Sequence, residues 1–327
     1  MHILIVNSGQ LPVTTYGGTE RVIWYLGKEL VRMGHKVTFL VKPGSYCPFA
    51  DVLPLNPVKP VVVQIPDSVD VVHFNIVPPA DVPKPYIFTM HSNYNVYDEF
   101  DLNTVFVSRN HASRFNSTSF VYNGLDWNDY GPVQLDNERS YFHFLGNAAW
   151  RVKNVRGAIQ VISAVKGEKL KVLGGNRLNI KMGFRLTLNP NIHFHGMVGG
   201  PEKLRLLQNS KGLIFPVRWS EPFGLAITES LYFGCPVLGT PYGSLPELVT
   251  SDVGYLSNNS AELAEAVKTI DRFSRRRCHE YAADVFNSRK MAEAYLEKYT
   301  SVLNGQTLNP VKPRLKEKQT VKFLDWH

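Results

Sequence analysis

The stretch WSEPFGLAITESLYFGCPVLGTPYGSLPELV, residues 219–249, decides the reading of this chain. Pro222 disfavours helix at Glu221, so Glu221 is expected in a loop. Gly224 lets backbone come close to a ligand, and an apolar helix is predicted to start near Leu225. The free N–H groups and positive dipole end of such a helix make an anion site. Helical side chains lean toward the N-terminus, so Glu229 points back to the same place. Two carboxylates beside a phosphate would repel it unless they accept hydrogen bonds from hydroxyls carried with that phosphate. A nucleotide sugar has this layout, with a pyrophosphate between a ribose diol and a hexose.

Outward from this stretch, apolar strands alternate with helices. HILIV (2–6) reads as a buried parallel strand. A Gly-rich loop runs to Gly18, and Thr19–Met33 carries helical periodicity through Val22, Ile23, Leu26 and Leu30. Gly34 ends that helix, and Lys36–Val41 is the second strand. Asp70–Phe74, Tyr86–Met90 and Thr104–Val107 read as further strands. A second series opens at Phe142–Leu145 and continues through Leu170–Leu173, Ile192–Phe194, Gly212–Phe215 and Pro236–Gly239. Two such series imply an α/β chain of two doubly wound domains, with a boundary near 132–138 and ligand at the C-terminal ends of the strands.

Glu, seven residues, Glu in this setting closely resembles the donor-site signature of the family-4 retaining glycosyltransferases with the GT-B fold. The resemblance runs from MHILIVNSGQLPVTTYGGTERVIWYLGKELVRMGHKVTFLV (1–41) to the helix near residue 300. It implies two Rossmann-like doubly wound parallel-sheet domains with the active site in the interdomain cleft. Residues 1–135 would form the acceptor-side domain, 136–303 the nucleotide-sugar domain and 304–327 a basic tail, either solvated or clasped on the first domain. It also implies metal-independent transfer of a hexose from a nucleotide diphosphate sugar, with a UDP-sugar favoured, to a hydroxyl acceptor. The acceptor could be a saccharide, a lipid-linked glycan or a small molecule. Rival readings are a non-enzymic sugar-nucleotide binder and a GT-B nucleotide-sugar epimerase. A phosphorylase is disfavoured, since no pyridoxal-bearing lysine motif is evident.

Individual residues follow from the same resemblance. In YGGTER (16–21), Gly17 and Gly18 stand just before a helix and match the glycine loop at the donor or acceptor. His91, after the strand YIFTM, matches the histidine that contacts the donor hexose. In FLGNAAWRVKN (144–154), Lys153 matches a lysine that binds the pyrophosphate and stabilises the leaving group. Asn147 stands where the family commonly has Arg, and Arg151 is the candidate to supply that charge. Gly196, Met197 and Val198 match a loop that holds the base through backbone groups. Phe223, Gly224, Leu225 and Glu229 complete the donor set, with Glu229 on the ribose and Glu221 on the hexose. Gly243 suits a tight backbone, and Glu247 is expected to brace its loop. His73, Asn75 and Ser108 lie at other strand ends and are weaker candidates. In VYNGLDWNDY (121–130), Asn123-Gly124 suggests a structural turn with positive φ.

Composition sets the outer bounds. The chain has 327 residues, 44% hydrophobic and 20% charged, which suits a two-domain globular protein. No run of eighteen apolar residues occurs, and MHILIVNSG lacks the basic flank of a signal peptide. Cys47, Cys235 and Cys278 are scattered, which fits structural thiols in a reducing cytosol. The net charge of +8 is uneven: residues 1–135 hold nine Lys/Arg against eleven Asp/Glu, leaving 27 against 17, a net +10, for the remainder. A basic second half suits an anionic nucleotide. No basic run is interleaved with aromatics, so nucleic acid is not expected. No metal site and no cofactor are expected, and peripheral contact with a membrane stays open.

Overall fold

The computed structural model describes residues 1–13, 17–180 and 182–327; Tyr16 of the YGGTER motif lies outside them. The chain forms two compact units. The first holds strands β1 (His2–Val6), β2 (Lys36–Val41), β3 (Asp51–Pro54), β4 (Val71–Phe74), β5 (Tyr86–Met90) and β6 (Thr104–Phe106). They pair in parallel in the order β3-β2-β1-β4-β5-β6. Helix α1 (Gly18–Arg32) buries Val22, Ile23, Leu26 and Leu30, the stripe expected from its periodicity, and Gly34 at φ +86 follows its end. α2 (Arg109–Arg114) follows β6 and is capped by Ser108, whose Oγ accepts the His111 N–H at 3.0 Å.

The second unit repeats the plan. Its sheet contains β7 (Tyr141–Leu145), β8 (Leu170–Leu173), β11 (Ile192–Phe194), β12 (Ser210–Phe215), β13 (Val237–Gly239) and β14 (Gly254–Leu256), ordered β11-β8-β7-β12-β13-β14. Between β8 and β11 a two-stranded antiparallel ribbon, β9 (Leu178–Asn179) with β10 (Arg185–Leu186), stands outside that sheet. Helices α3 (Val155–Ser163), α4 (Gly200–Gln208), α5 (Leu225–Tyr232), α6 (Leu245–Leu248), α7 (Ser260–Lys268) and α8 (Arg275–Val285) complete the unit. One core joins Phe142 and Phe144 of β7 to Leu170, Val172, Ile214 and the apolar faces of α3 and α7. The other face of β7 carries His143, fully buried between the hydroxyls of Ser210 at 2.7 Å and Ser230 at 2.8 Å. Burial lowers its pKa to about 3. Both sheets thus have the doubly wound order in which the first strand lies third.

The contacts divide the chain differently from the linear reading 1–135, 136–303 and 304–327. The first unit ends its first pass at Trp127 and takes back Phe286–Gln319, while Thr320–His327 returns to the second. The last helix, α9 (Ser288–Leu303), lies on α1 and β5. It buries Tyr295 and Tyr299, whose hydroxyls meet Thr89 and His73 at 3.0 and 2.8 Å. Helical periodicity reveals an apolar face but not which sheet receives it. Residues 304–319 do clasp the first unit: the Asn309 amide donates to the Leu102 and Thr104 carbonyls, and Leu315 is buried. His73 therefore serves the core, held also by Thr89 at 2.7 Å.

The Asn123-Gly124 turn also differs from expectation. Gly124 is not in the positive-φ region. It is needed because a β-carbon there would lie 2.2 Å from the Asn287 carbonyl oxygen. The edge strands β3 and β14 and the β9–β10 ribbon went unread, being two to four residues long and without clear alternation.

Candidate active site

Strand order reverses beside the first strand of each sheet, between β1 and β4 and between β7 and β12. Ligands of open parallel sheets bind outside the strand C-termini at such a reversal. In the second unit the loops leaving β7 and β12 run over residues 146–154 and 216–224. The Arg218 N–H donates to the Val152 carbonyl at 2.7 Å, and the Asn154 amide to the Pro216 carbonyl at 3.0 Å. These bonds bring Lys153 and Glu221 together. The Lys153 ammonium donates to Glu221 Oε2 at 2.6 Å, and the Trp219 indole N–H donates to the same oxygen at 2.8 Å. The ammonium also lies 5.3 Å from the Phe215 ring centre and 5.1 Å from that of Trp219. Both charged residues are buried. A buried ion pair of this kind persists only with good geometry and further hydrogen bonds.

The backbone around Glu221 is fixed from the next loop. The Ser244 N–H donates to the Glu221 carbonyl at 2.9 Å and its Oγ to the Phe223 carbonyl at 2.6 Å. Gly243, at φ +63, leaves no room for a β-carbon, which would sit 2.2 Å from Glu221 N. Gly224, at φ +92, turns the chain into α5 and precedes its free N–H groups at Leu225. Phe223 is buried beneath this turn.

Glu229, one turn into α5, is 2% exposed. Its Oε1 accepts the Tyr130 hydroxyl at 2.7 Å and the Lys203 ammonium at 2.5 Å. Neither partner was singled out from sequence. Lys203 could have been: it shares one face of α4 with Leu206 and Leu207, the i, i+3, i+4 apolar stripe, where a lysine needs a buried partner.

Three strand-end loops meet through glycine backbone. A β-carbon on Gly174 would lie 2.0 Å from the Gly146 carbonyl oxygen. Gly175 and Gly196 exchange hydrogen bonds at 3.1 and 3.2 Å, which joins LGG (173–175) to HGMV (195–198). Met197 is exposed and Val198 half-buried beyond that junction. Asn147 turns inward: its Oδ1 accepts the Ala149 N–H at 3.0 Å. Its side chain shapes the turn after β7. Arg151 lies against the C-terminal segment, its guanidinium 4.7 Å from the Phe323 ring, with Arg218 at 5.3 Å from the same ring.

The first unit holds the remaining predicted residues. Gly17 precedes α1 in extended backbone; Gly18 is its first residue, and Arg21 Nε donates to the Gly17 carbonyl at 3.2 Å. His91 follows β5 and Asn75 follows β4, with His91 Nε2 2.8 Å from Asn75 Oδ1. An amide oxygen only accepts, so Nε2 carries the proton. Surrounding protein desolvates the half-buried ring and lowers its pKa to about 4. The neutral ring therefore carries its lone pair on Nδ1, which can accept a hydroxyl proton. Asn7, at the end of β1, has a buried amide nitrogen with no partner among the described residues. Ser108 is spent on capping α2. No group of three His, Cys, Asp or Glu among the described residues is placed to hold a metal, and no described helix is long and apolar enough to cross a membrane.

Residues 139–271 match the family described as Glycosyl transferases group 1. O-antigen chain mannosyltransferase C of Escherichia coli is 30% identical over 213 residues, 56% of this chain and 54% of that protein. The chain matches 33% to 54% of the length of its curated relatives. Among solved structures, AviGT4, a glycosyltransferase involved in avilamycin A biosynthesis, superposes with a TM-score of 0.76 at 20% identity, over 94% of this chain and 99% of that one. Anabaena HepE, solved with UDP and glucose, gives 0.68 at 15% identity, over 91% and 99%. At these identities the two structures speak to the fold.

Proposed function

We propose that this protein, whose residues 139–271 match the glycosyl transferases group 1 family and whose fold is GT-B, transfers a hexose from a nucleotide diphosphate sugar to a hydroxyl acceptor in glycan or glycoconjugate synthesis. The observation that carries the reading is the Lys153–Glu221 pair at the β7/β12 reversal, with Glu229 behind the glycine-led start of α5. The donor would engage groups that are already paired with one another. Its pyrophosphate would share Lys153 with Glu221, and its hydroxyls would add hydrogen-bond donors to the two carboxylates. Glu229 takes the ribose diol, because its Oε1 is held by Tyr130 and Lys203 and its position is fixed. Glu221 takes the hexose.

In the step itself the anomeric C–O bond to the β-phosphate breaks and negative charge gathers on that phosphate. Lys153 and the α5 N-terminus stabilise it, an electrostatic term that grows toward the transition state. The acceptor oxygen attacks from the face the phosphate leaves, and its proton passes to the departing phosphate oxygen, so configuration is retained. We assign no divalent metal to this step and favour UDP as the nucleotide. The reducing cytosol suits the three free cysteines, of which Cys235 and Cys278 are buried.

The test is a binding and turnover comparison. UDP, GDP and ADP are titrated by thermal shift; a ligand at a hundred times its dissociation constant stabilises by roughly 2.7 kcal/mol. Glu229→Ala should weaken the bound nucleotide by about 1.5–3 kcal/mol, whereas Glu221→Ala should spare nucleotide affinity and lower transfer. Equal loss of nucleotide affinity in both variants rejects the division of roles. Transfer abolished by EDTA and restored by Mn²⁺ rejects the metal-free step, and an inverted product anomer rejects retention.

A further inference from the structure

The β9–β10 ribbon is inside out. Leu178, Ile180, Met182, Phe184, Leu186 and Leu188 alternate along it and are all 50–78% exposed. Between Phe184 and Leu188 the two intervening residues, Arg185 and Thr187, are buried. Arg185 donates to the Asn176 carbonyl and to Thr187 Oγ1 at 2.9 and 3.1 Å. In a ribbon lying on its own protein the apolar parity should be the covered one. Here six large apolar side chains of one short segment are left uncovered, with Leu178 and Leu186 paired across the two strands, an arrangement that marks an interaction surface.

Charge points to the occupant. From Lys169 to Pro201 the sequence has five Lys/Arg and no Asp or Glu. Beside the ribbon lies a cavity of about 300 Å³ lined by Arg151, Arg156, Arg185, Arg218 and Phe184, with no carboxylate in its wall. Trp150, on the same wall, is 40% exposed. An apolar stripe, an interfacial tryptophan and arginines without acidic neighbours form the pattern of a peripheral element whose side chains enter the acyl boundary while its cations meet lipid phosphates. A second copy docked by twofold symmetry would set these cations against their own equivalents.

We propose that the β9–β10 ribbon seats this protein on a bilayer bearing anionic lipid. This inference stands apart from the sugar-transfer reading, since none of its six apolar residues belongs to the candidate site.

The experiment is co-sedimentation of the full chain with vesicles of phosphatidylcholine alone and of phosphatidylcholine mixed with phosphatidylglycerol. Wild type should partition onto the mixed vesicles and less as salt rises. Met182→Glu/Phe184→Glu, at exposed positions, should lower that partition about a hundredfold, as loss of two inserted apolar side chains predicts. Arg156→Gln should lower it roughly fivefold on mixed vesicles only. Thermal midpoints confirm folding, and Leu188→Glu on the same stripe replaces the double variant if that one does not fold. A wild type that stays in the supernatant overturns the proposal, as does a stripe variant that sediments like wild type. Concentration-dependent dimerisation abolished by the stripe variant, without vesicle binding, would hand the surface to a second copy and overturn it too.

Discussion

Replacing Gly243 by alanine separates the position of Glu221 from the stability of its loop. The new β-carbon would lie 2.2 Å from Glu221 N, 2.4 Å from Glu221 O and 2.7 Å from Ser220 C. All three are backbone atoms, so no rotamer relieves the contact. Opening it to an ordinary separation moves the Glu221 backbone by about 1 Å, and a misplacement of that size costs roughly 10²-fold in rate. The left-handed conformation adds about 1–2 kcal/mol of strain for any residue with a β-carbon. Gly34→Ala isolates that second effect, because Gly34 has φ +86 and nothing within 4 Å of its would-be β-carbon. The assay measures thermal midpoint and donor turnover for both variants. Both should lose a few degrees of midpoint; only Gly243→Ala should lose about two orders of magnitude in turnover while remaining folded. If its turnover matches that of Gly34→Ala, Glu221 does not act where the reaction occurs, and the reasoning fails.

Other variants probe the remaining parts. Lys203→Met leaves the Glu229 carboxylate buried with its ammonium partner gone and should cost about 3–5 kcal/mol in chemical denaturation; adding Glu229→Gln should recover much of that, and no recovery would mean that the pair is not the cause. Lys153→Ala should lower turnover roughly 10²–10³-fold with a smaller change in donor affinity, whereas Arg151→Ala should remain within a few fold of wild type and lose about 0.5–1 kcal/mol of stability with the Phe323 contact. A comparable turnover loss in both would restore Arg151 to the leaving group. Stability should also depend on pH through His73, His91, His111 and His143, whose burial lowers their pKa values to about 3, 4, 3 and 3. The unfolded chain binds more protons than the folded one between pH 6.5 and 4, so stability is full above about pH 6.5 and falls as pH drops through that window. The loss is roughly 1 kcal/mol per histidine by pH 5.5; an unchanged midpoint between pH 7 and 5.5 contradicts it.

Much of the plan was legible because buried parallel strands are continuous apolar runs. HILIV, KVTFLV and YIFTM became β1, β2 and β5 without shift. The start of α5 was readable from Pro222 and Gly224, whose backbone constraints act locally. Lys203 and Tyr130 were not readable as partners of Glu229, since they lie 26 and 99 positions away in the chain. Asn147 looked like a lost phosphate contact, but its amide oxygen has a local backbone partner two residues on, a competition that sequence position alone does not resolve. The exposed stripe on β9–β10 was missed because alternation fixes two faces and not which of them meets protein.

The late return of Phe286–Gln319 to the first unit has a consequence for biosynthesis. Chains emerge N-terminus first, and domains generally fold as units. The sheet β1–β6 is complete by Phe106, yet Tyr295 and Tyr299, which close its core against Thr89 and His73, are translated only after the whole second sheet. The unit encoded first must therefore wait with one face bare, while the unit encoded second has everything except Thr320–His327 as soon as Val285 has emerged. During that interval the nascent first sheet offers an uncovered apolar surface, the kind of surface a chaperone holds.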